Sequence, residues 1–279
     1  MIQLAINYSP AAAQLLQAGR LPIQRFKCPD WPDLVAEASA LLPVAVHFSL
    51  SAGSGQLAQT DWERVEQLRQ VTGTPYVNLH LDALQQDFPG MPRDTHEPAH
   101  IRLVTERLLH DVNAAVERFG AGQVIVENVP YQPDGSRNDP PYDKCLRPAV
   151  LPEVIRQVVQ ESGCGLLLDI PHARISAHNL GLDEREYLTS LPVESIRELH
   201  VTGLHTNQFG FLQDHLSMLE SDWPSLEWVL ERIRGGEWGS PWLLAFEYGG
   251  VGWKFEQRSD PQVIESQVPE LRRRLVGDI

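Results

Sequence analysis

Short apolar runs rich in β-formers alternate with stretches of helical periodicity along most of the chain. Runs suited to strands lie at 2–8, 24–28, 44–50, 76–81, 123–129, 165–170, 196–202 and 242–248. Several, such as VIVEN, GLLLDI and WLLAFE, are nearly unbroken apolar segments, the pattern of parallel strands buried on both faces. Helical periodicity runs over 61–71, after Thr60 with Glu63 three residues on, and over 101–119, ending at Gly120. Further helical stretches are 151–161, stopping at Ser162-Gly163, 225–233, stopping at Gly235-Gly236, and 262–275. Eight strand-then-helix units predict an α/β fold closed as a (β/α)8 TIM barrel, one domain over 1–279. An open doubly wound sheet is the structural alternative. The first strand is followed by Asn7-Tyr8-Ser9-Pro10 rather than the glycine-rich phosphate loop such sheets often carry. Two connections are long, 128–148 and 203–223, and long loops after strands are expected on a barrel's active face.

Composition narrows the classes of function. At 279 residues and 42% hydrophobic content the chain can bury a sizeable core. It has no apolar run of membrane-spanning length and no signal-like start, and its three cysteines (Cys28, Cys145, Cys164) form no paired motif. These features predict a cytoplasmic protein with no membrane partner. A formal net charge of -14 makes nucleic acid an unfavoured partner and suits a protein that gathers carboxylates around cations.

The candidate chemistry sits at the ends of the predicted strands. The third ends near His47, the fourth at His80, the fifth at Glu127 and Asn128, and the sixth at Asp169 and His172. The seventh ends at His200, the loop after it carries Asp214-His215, and the eighth ends at Glu247. A single strand histidine is usually a hydrogen-bonded core residue. A carboxylate following VIV, LLL or LLAF is different, because burying it unpaired costs several kcal/mol. Three such carboxylates at one barrel mouth would repel one another, and a divalent cation relieves the repulsion. Carboxylate and imidazole donors without thiolate suit iron, manganese, zinc or cobalt. Glu127, Asp169, His200 and Glu247 suffice for one ion; with His47, His80, His172, Asp214 and His215 the set predicts two or three ions. Glu127, Glu247 and His200 are the candidate catalytic residues. Asn128, Tyr131, Arg137, His205 and Trp253 are candidates for substrate binding, with Tyr142 and Phe255 nearby. His96, His100 and His110 read as solvated or packing residues.

The run GCGLLLDIPHARISAHNLG, the strand end ELHVTGLH, the pair Asp214-His215 and FEYGG, in this order and preceded by HFSLS and ENV, resemble the multinuclear non-heme iron-dependent oxidative enzymes. This family, formerly a domain of unknown function, lies among the xylose-isomerase-like TIM barrels. The resemblance spans the third to the eighth strand. It implies two or three iron ions held by His47, His80, Glu127, Asp169, His172, His200, Asp214, His215 and Glu247. It also implies use of O₂ to modify a peptide, with a partner protein that presents it. The same ligand order is similar to two other classes in the superfamily. Endonuclease IV-like phosphodiesterases share the Asp-x-x-His pair at Asp169 and His172. Sugar isomerases and epimerases share the quartet Glu127, Asp169, His200 and Glu247. A small polar substrate therefore stands beside a peptide as an expectation.

Overall fold

The computed structural model describes residues 1–132, 144–252, 255 and 258–277. In chain order the regular elements begin with β1 (Gln3–Asn7), α1 (Pro10–Gln17), β2 (Arg25–Pro29), α2 (Pro32–Ser39), β3 (Val44–His47) and β4 (Ser51–Ala52). Next come α3 (Trp62–Thr72), β5 (Val77–Leu81), α4 (Pro98–Phe119), β6 (Val124–Glu127), α5 (Pro152–Ser162), β7 (Gly165–Asp169), α6 (Ile170–Leu180) and α7 (Glu184–Ser190). The chain continues with β8 (Ile196–Val201), the antiparallel pair β9 (Gly203–Thr206) and β10 (Leu212–Leu216), α8 (Trp223–Arg234), β11 (Leu243–Phe246) and α9 (Pro261–Val276). The eight predicted strands and five predicted helices are all found within three residues of their expected bounds. The strand expected over 44–50 stops at His47, and the short β4 follows it. Helices α1, α2, α6 and α7 and the β9–β10 hairpin are additional.

The chain divides into two compact units. The first comprises residues 1–47, 64–74 and 198–279, the second 48–63 and 75–197. In the first, β3, β2, β1, β11 and β8 lie side by side as parallel neighbours. Register sets Lys27 beside Asn7, His47 beside Pro29 and His200 beside Ala245. Ala5, Ala45, Leu243 and Ala245 form a buried cluster against which Trp242 packs. In the second unit β4, β5, β6 and β7 are parallel neighbours, and register sets His80 beside both Ser51 and Glu127. α4, with Val104, Leu108, Val112 and Ala115 buried along one stripe, packs on α5. No helix among the described residues is long and apolar enough to cross a membrane.

Candidate functional site

In the second unit, His80 is the next-to-last residue of β5, β6 and β7 end in Glu127 and Asp169, and α6 starts at once. The Asp169 side chain caps that helix, its Oδ1 accepting from the His172 N–H at 2.7 Å. Pro171 at the helix start and the left-handed Gly181 at its end complete a well-delimited element. The cap holds Asp169 and His172 in one turn, with His172 Nδ1 3.6 Å from Asp169 Oδ1 and 3.6 Å from Glu127 Oε1. Glu127 and Asp169 are buried and offer carboxylate oxygens within 4.8 Å of one another. At an effective dielectric near 20, two such charges repel by about 3 kcal/mol, so the arrangement favours a cation.

The first unit holds a second set. Glu247, just past β11, is buried with its Oε1 3.2 Å from His200 Nδ1 and its Oε2 3.7 Å from His215 Nδ1. Its Oε1 also accepts from the buried Lys27 ammonium of β2. Burial alone would raise the Glu247 pKa, but His200, Lys27, His215 and His47 pull it well below the usual carboxylate range. The His47 and His200 rings lie 5.3 Å apart.

Asp214 and His215 reach this set through a distortion of β10. Between Gln213 and Leu216 the strand carries one residue more than β9 opposite it, and His215 sits there with φ 57°. Adjacent residues of a regular strand point to opposite faces. The bulge instead brings His215 Nε2 to 3.9 Å from Asp214 Oδ1. The hairpin is anchored by Thr202 Oγ1 donating to the Leu216 carbonyl at 2.9 Å and by Asp222 Oδ2 accepting from Leu204 N and Leu219 N.

The histidine tautomers follow from their neighbours, because a carbonyl or carboxylate only accepts. Nδ1–H of His80 donates to the Leu50 carbonyl, that of His172 to the Asn128 carbonyl, and that of His215 to the Glu247 carbonyl. In the neutral form that ligates a metal, each of these rings carries its lone pair on Nε2, and that of His80 is 3.3 Å from Glu127 Oε2. His200 is reversed: Nε2–H donates to Glu198 Oε1 at 3.1 Å, which turns Nδ1 toward Glu247. Glu198 is itself held by Trp242 Nε1 at 2.9 Å. Histidines that ligate metals characteristically give their other N–H to a carbonyl or carboxylate in this way. The donor set thus fits a divalent ion with imidazole and carboxylate preferences.

The other sequence-predicted residues are placed as follows. Asn128 is fully buried, and its amide spans the backbone of Asp169, donating to the carbonyl at 2.9 Å and accepting from the N–H at 3.0 Å. That makes it a support for the strand end. Tyr131 lies under the Arg93 guanidinium, 4.7 Å from its ring centre. His205 donates across the hairpin to the Ser217 carbonyl. Arg137, Tyr142 and Trp253 lie outside the described residues. His100 bonds Thr95 and His110 bonds Asp111. Three residues were not anticipated: Lys27, Glu198 and Asp82. Asp82 bonds Ser51, and its pKa rises to about 7, burial outweighing the His80 and Ser51 contributions.

Residues 144–234 match the family described as "RiPP precursor modification enzyme MbnB/TglH/ChrH". A UPF0276 protein of Acaryochloris marina is 26% identical over 224 residues, 76% of this chain and 70% of that protein. One from Paraburkholderia phytofirmans is 48% identical over 56 residues, 20% of this chain and 18% of that protein. A xylose isomerase domain protein from Planctomyces limnophilus superposes with a TM-score of 0.57 at 10% identity, covering 100% of this chain and 99% of that one. The fold is a xylose-isomerase-like α/β TIM barrel, which sets the open doubly wound sheet aside. The resemblance to the peptide-modifying metalloenzymes read from the strand-end motifs stands, and the matched segment holds Asp169, His172, His200, Asp214 and His215.

Proposed function

We propose that this protein is a multinuclear, iron-dependent oxidative enzyme that modifies a ribosomally made peptide using O₂. His47, His80, Glu127, Asp169, His172, His200, Asp214, His215 and Glu247 are the ligands of two or three divalent ions. The observation that supports this most directly is the set of ring orientations: three histidines commit Nδ1–H to main-chain carbonyls and a fourth commits Nε2–H to Glu198. The peptide as substrate class is supported by the family match over 144–234. Iron, when bound, supplies redox chemistry with O₂ as the oxidant. The protein's own part is to hold the imidazole and carboxylate donors in fixed tautomers and to keep the carboxylates of Glu127 and Glu247 out of water, where they can also take up or release a proton. Tyr131, His205, Arg137 and Trp253 are proposed to contact the peptide, which a partner protein presents.

The test is metal analysis of anaerobically purified protein followed by O₂ uptake with Fe(II) and a cysteine-containing peptide. Two or more irons per chain with peptide-stimulated O₂ uptake is the expected result. A zinc-only protein that consumes no O₂ after iron loading overturns the reading, and one ion per chain points to an isomerase or epimerase instead.

A further inference from the structure

β2 carries a lysine where its neighbours Phe26 and Cys28 are fully buried. Lys27 is itself 5% exposed, so its charge is withdrawn from water and needs a countercharge. Its ammonium donates to Glu247 Oε1, the same oxygen that His200 Nδ1 faces at 3.2 Å. His215 takes the Oε2 side. One oxygen of a proposed ligand carboxylate is thereby committed to a cation supplied by the chain. An ammonium has three donors and no lone pair, so it neutralises a carboxylate but cannot ligate a metal, and it repels one nearby.

We propose that Lys27 is a built-in cation of the Glu247 ligand set, standing where an additional metal ion would otherwise balance that carboxylate. The proposal rests on the metal-binding reading above. Glu247, His200 and His215 then stay in place when metal is absent, and the set takes up one ion fewer than its donors would otherwise hold. The resemblance in the strand-end motifs does not extend to this residue, because Lys27 lies before the third strand, where the resemblance begins.

The experiment compares wild type, Lys27→Met, Lys27→Arg and the double variant Lys27→Met with Glu247→Gln. Each is stripped with EDTA, then reloaded with zinc and gel-filtered. Metal per chain is measured by elemental analysis and Tm with and without zinc. In EDTA, Lys27→Met should melt about 10 °C below wild type, because the carboxylate has lost its buried partner. Zinc should restore its Tm, and it should retain one zinc more per chain than wild type. Lys27→Arg should keep the wild-type count. The double variant should recover Tm in EDTA and gain no ion. A Lys27→Met protein with unchanged Tm and zinc count overturns the proposal, as does a Tm loss that zinc neither reverses nor accompanies with an extra ion. If Lys27→Met fails to fold without metal, recovery as folded protein from zinc-supplemented medium supports the proposal. Failure in both media, shared by the double variant, overturns it. A wild type that retains no ion sinks the metal-centre reading itself. The difference in ion count between Lys27→Met and wild type still decides the role of Lys27.

Discussion

His200 has a carboxylate on each side of its ring, and the two differ in kind. Glu247 faces Nδ1 as a proposed fellow ligand, whereas Glu198 accepts from Nε2–H and is held in turn by the Trp242 indole. Both oxygens of Glu198 thus receive hydrogen bonds, a demand a carboxylate meets and an amide does not. In Glu198→Gln, one of the two donors would face the new NH₂ group. The expected result is a ten- to hundredfold (order-of-magnitude) loss of metal affinity with the far-ultraviolet circular dichroism unchanged. Calorimetric titration with a divalent ion measures it, and wild-type affinity in the variant would remove Glu198 from the set. Trp242→Phe frees only one oxygen of Glu198 and should cost less.

At the scale of elements, the β10 bulge turns two consecutive residues into near neighbours. Its cost is a histidine at φ 57°, where a residue with a Cβ is strained by about 1 kcal/mol. His215→Gly should therefore be about 1 kcal/mol more stable in EDTA than His215→Ala, the reverse of the order in a regular strand. Both should bind metal more weakly than wild type. Urea unfolding of the two variants reads the difference, and a more stable alanine variant would mean the backbone is not strained there. The other strand of the hairpin is equally specific: a Cβ on Gly203 would collide with the Ser217 carbonyl. Gly203→Ala should displace β10 and lower both Tm and metal affinity. The core strands were legible because burial on both faces writes an unbroken apolar run, and Asp169 and Glu247 were legible because a carboxylate ending such a run is costly. The hairpin was not, because its strands are short and half-exposed and LQDHL has no clean alternation. α6 was missed because it is buried almost all round through its first turns, which erases helical amphipathicity. Glu198 was within reach: two residues before His200 in one strand, it shares that residue's face.

At the scale of the whole molecule, the three cysteines report folding rather than chemistry. All are buried and none is in a disulfide. Burial pushes the Cys28 thiol up to about 12 and Cys164 to about 11, from an ordinary value of 9.0, and Cys145 higher still. At pH 8 the folded protein therefore holds almost no thiolate, and none of the three should react with a disulfide reagent until denaturant is added, when all three should. The same shifts make folding sensitive to alkali. These groups are neutral in the folded chain, and their folded pKa lies above the unfolded one. The folded state thus binds more protons between the two values, and stability falls as pH rises through that window. Below about pH 9 the thiols have no effect. By pH 10 each costs on the order of 1 kcal/mol, and together they should lower Tm by several degrees. The burial-raised pKa values of Tyr8 and Tyr187 add to the loss at higher pH. Replacing all three cysteines by alanine should lower Tm at pH 8, because packing is lost, yet shrink the further drop between pH 8 and pH 10. Differential scanning calorimetry under reducing conditions at the two pH values measures both. An equal pH-dependent drop in the variant would place the alkaline sensitivity elsewhere in the chain.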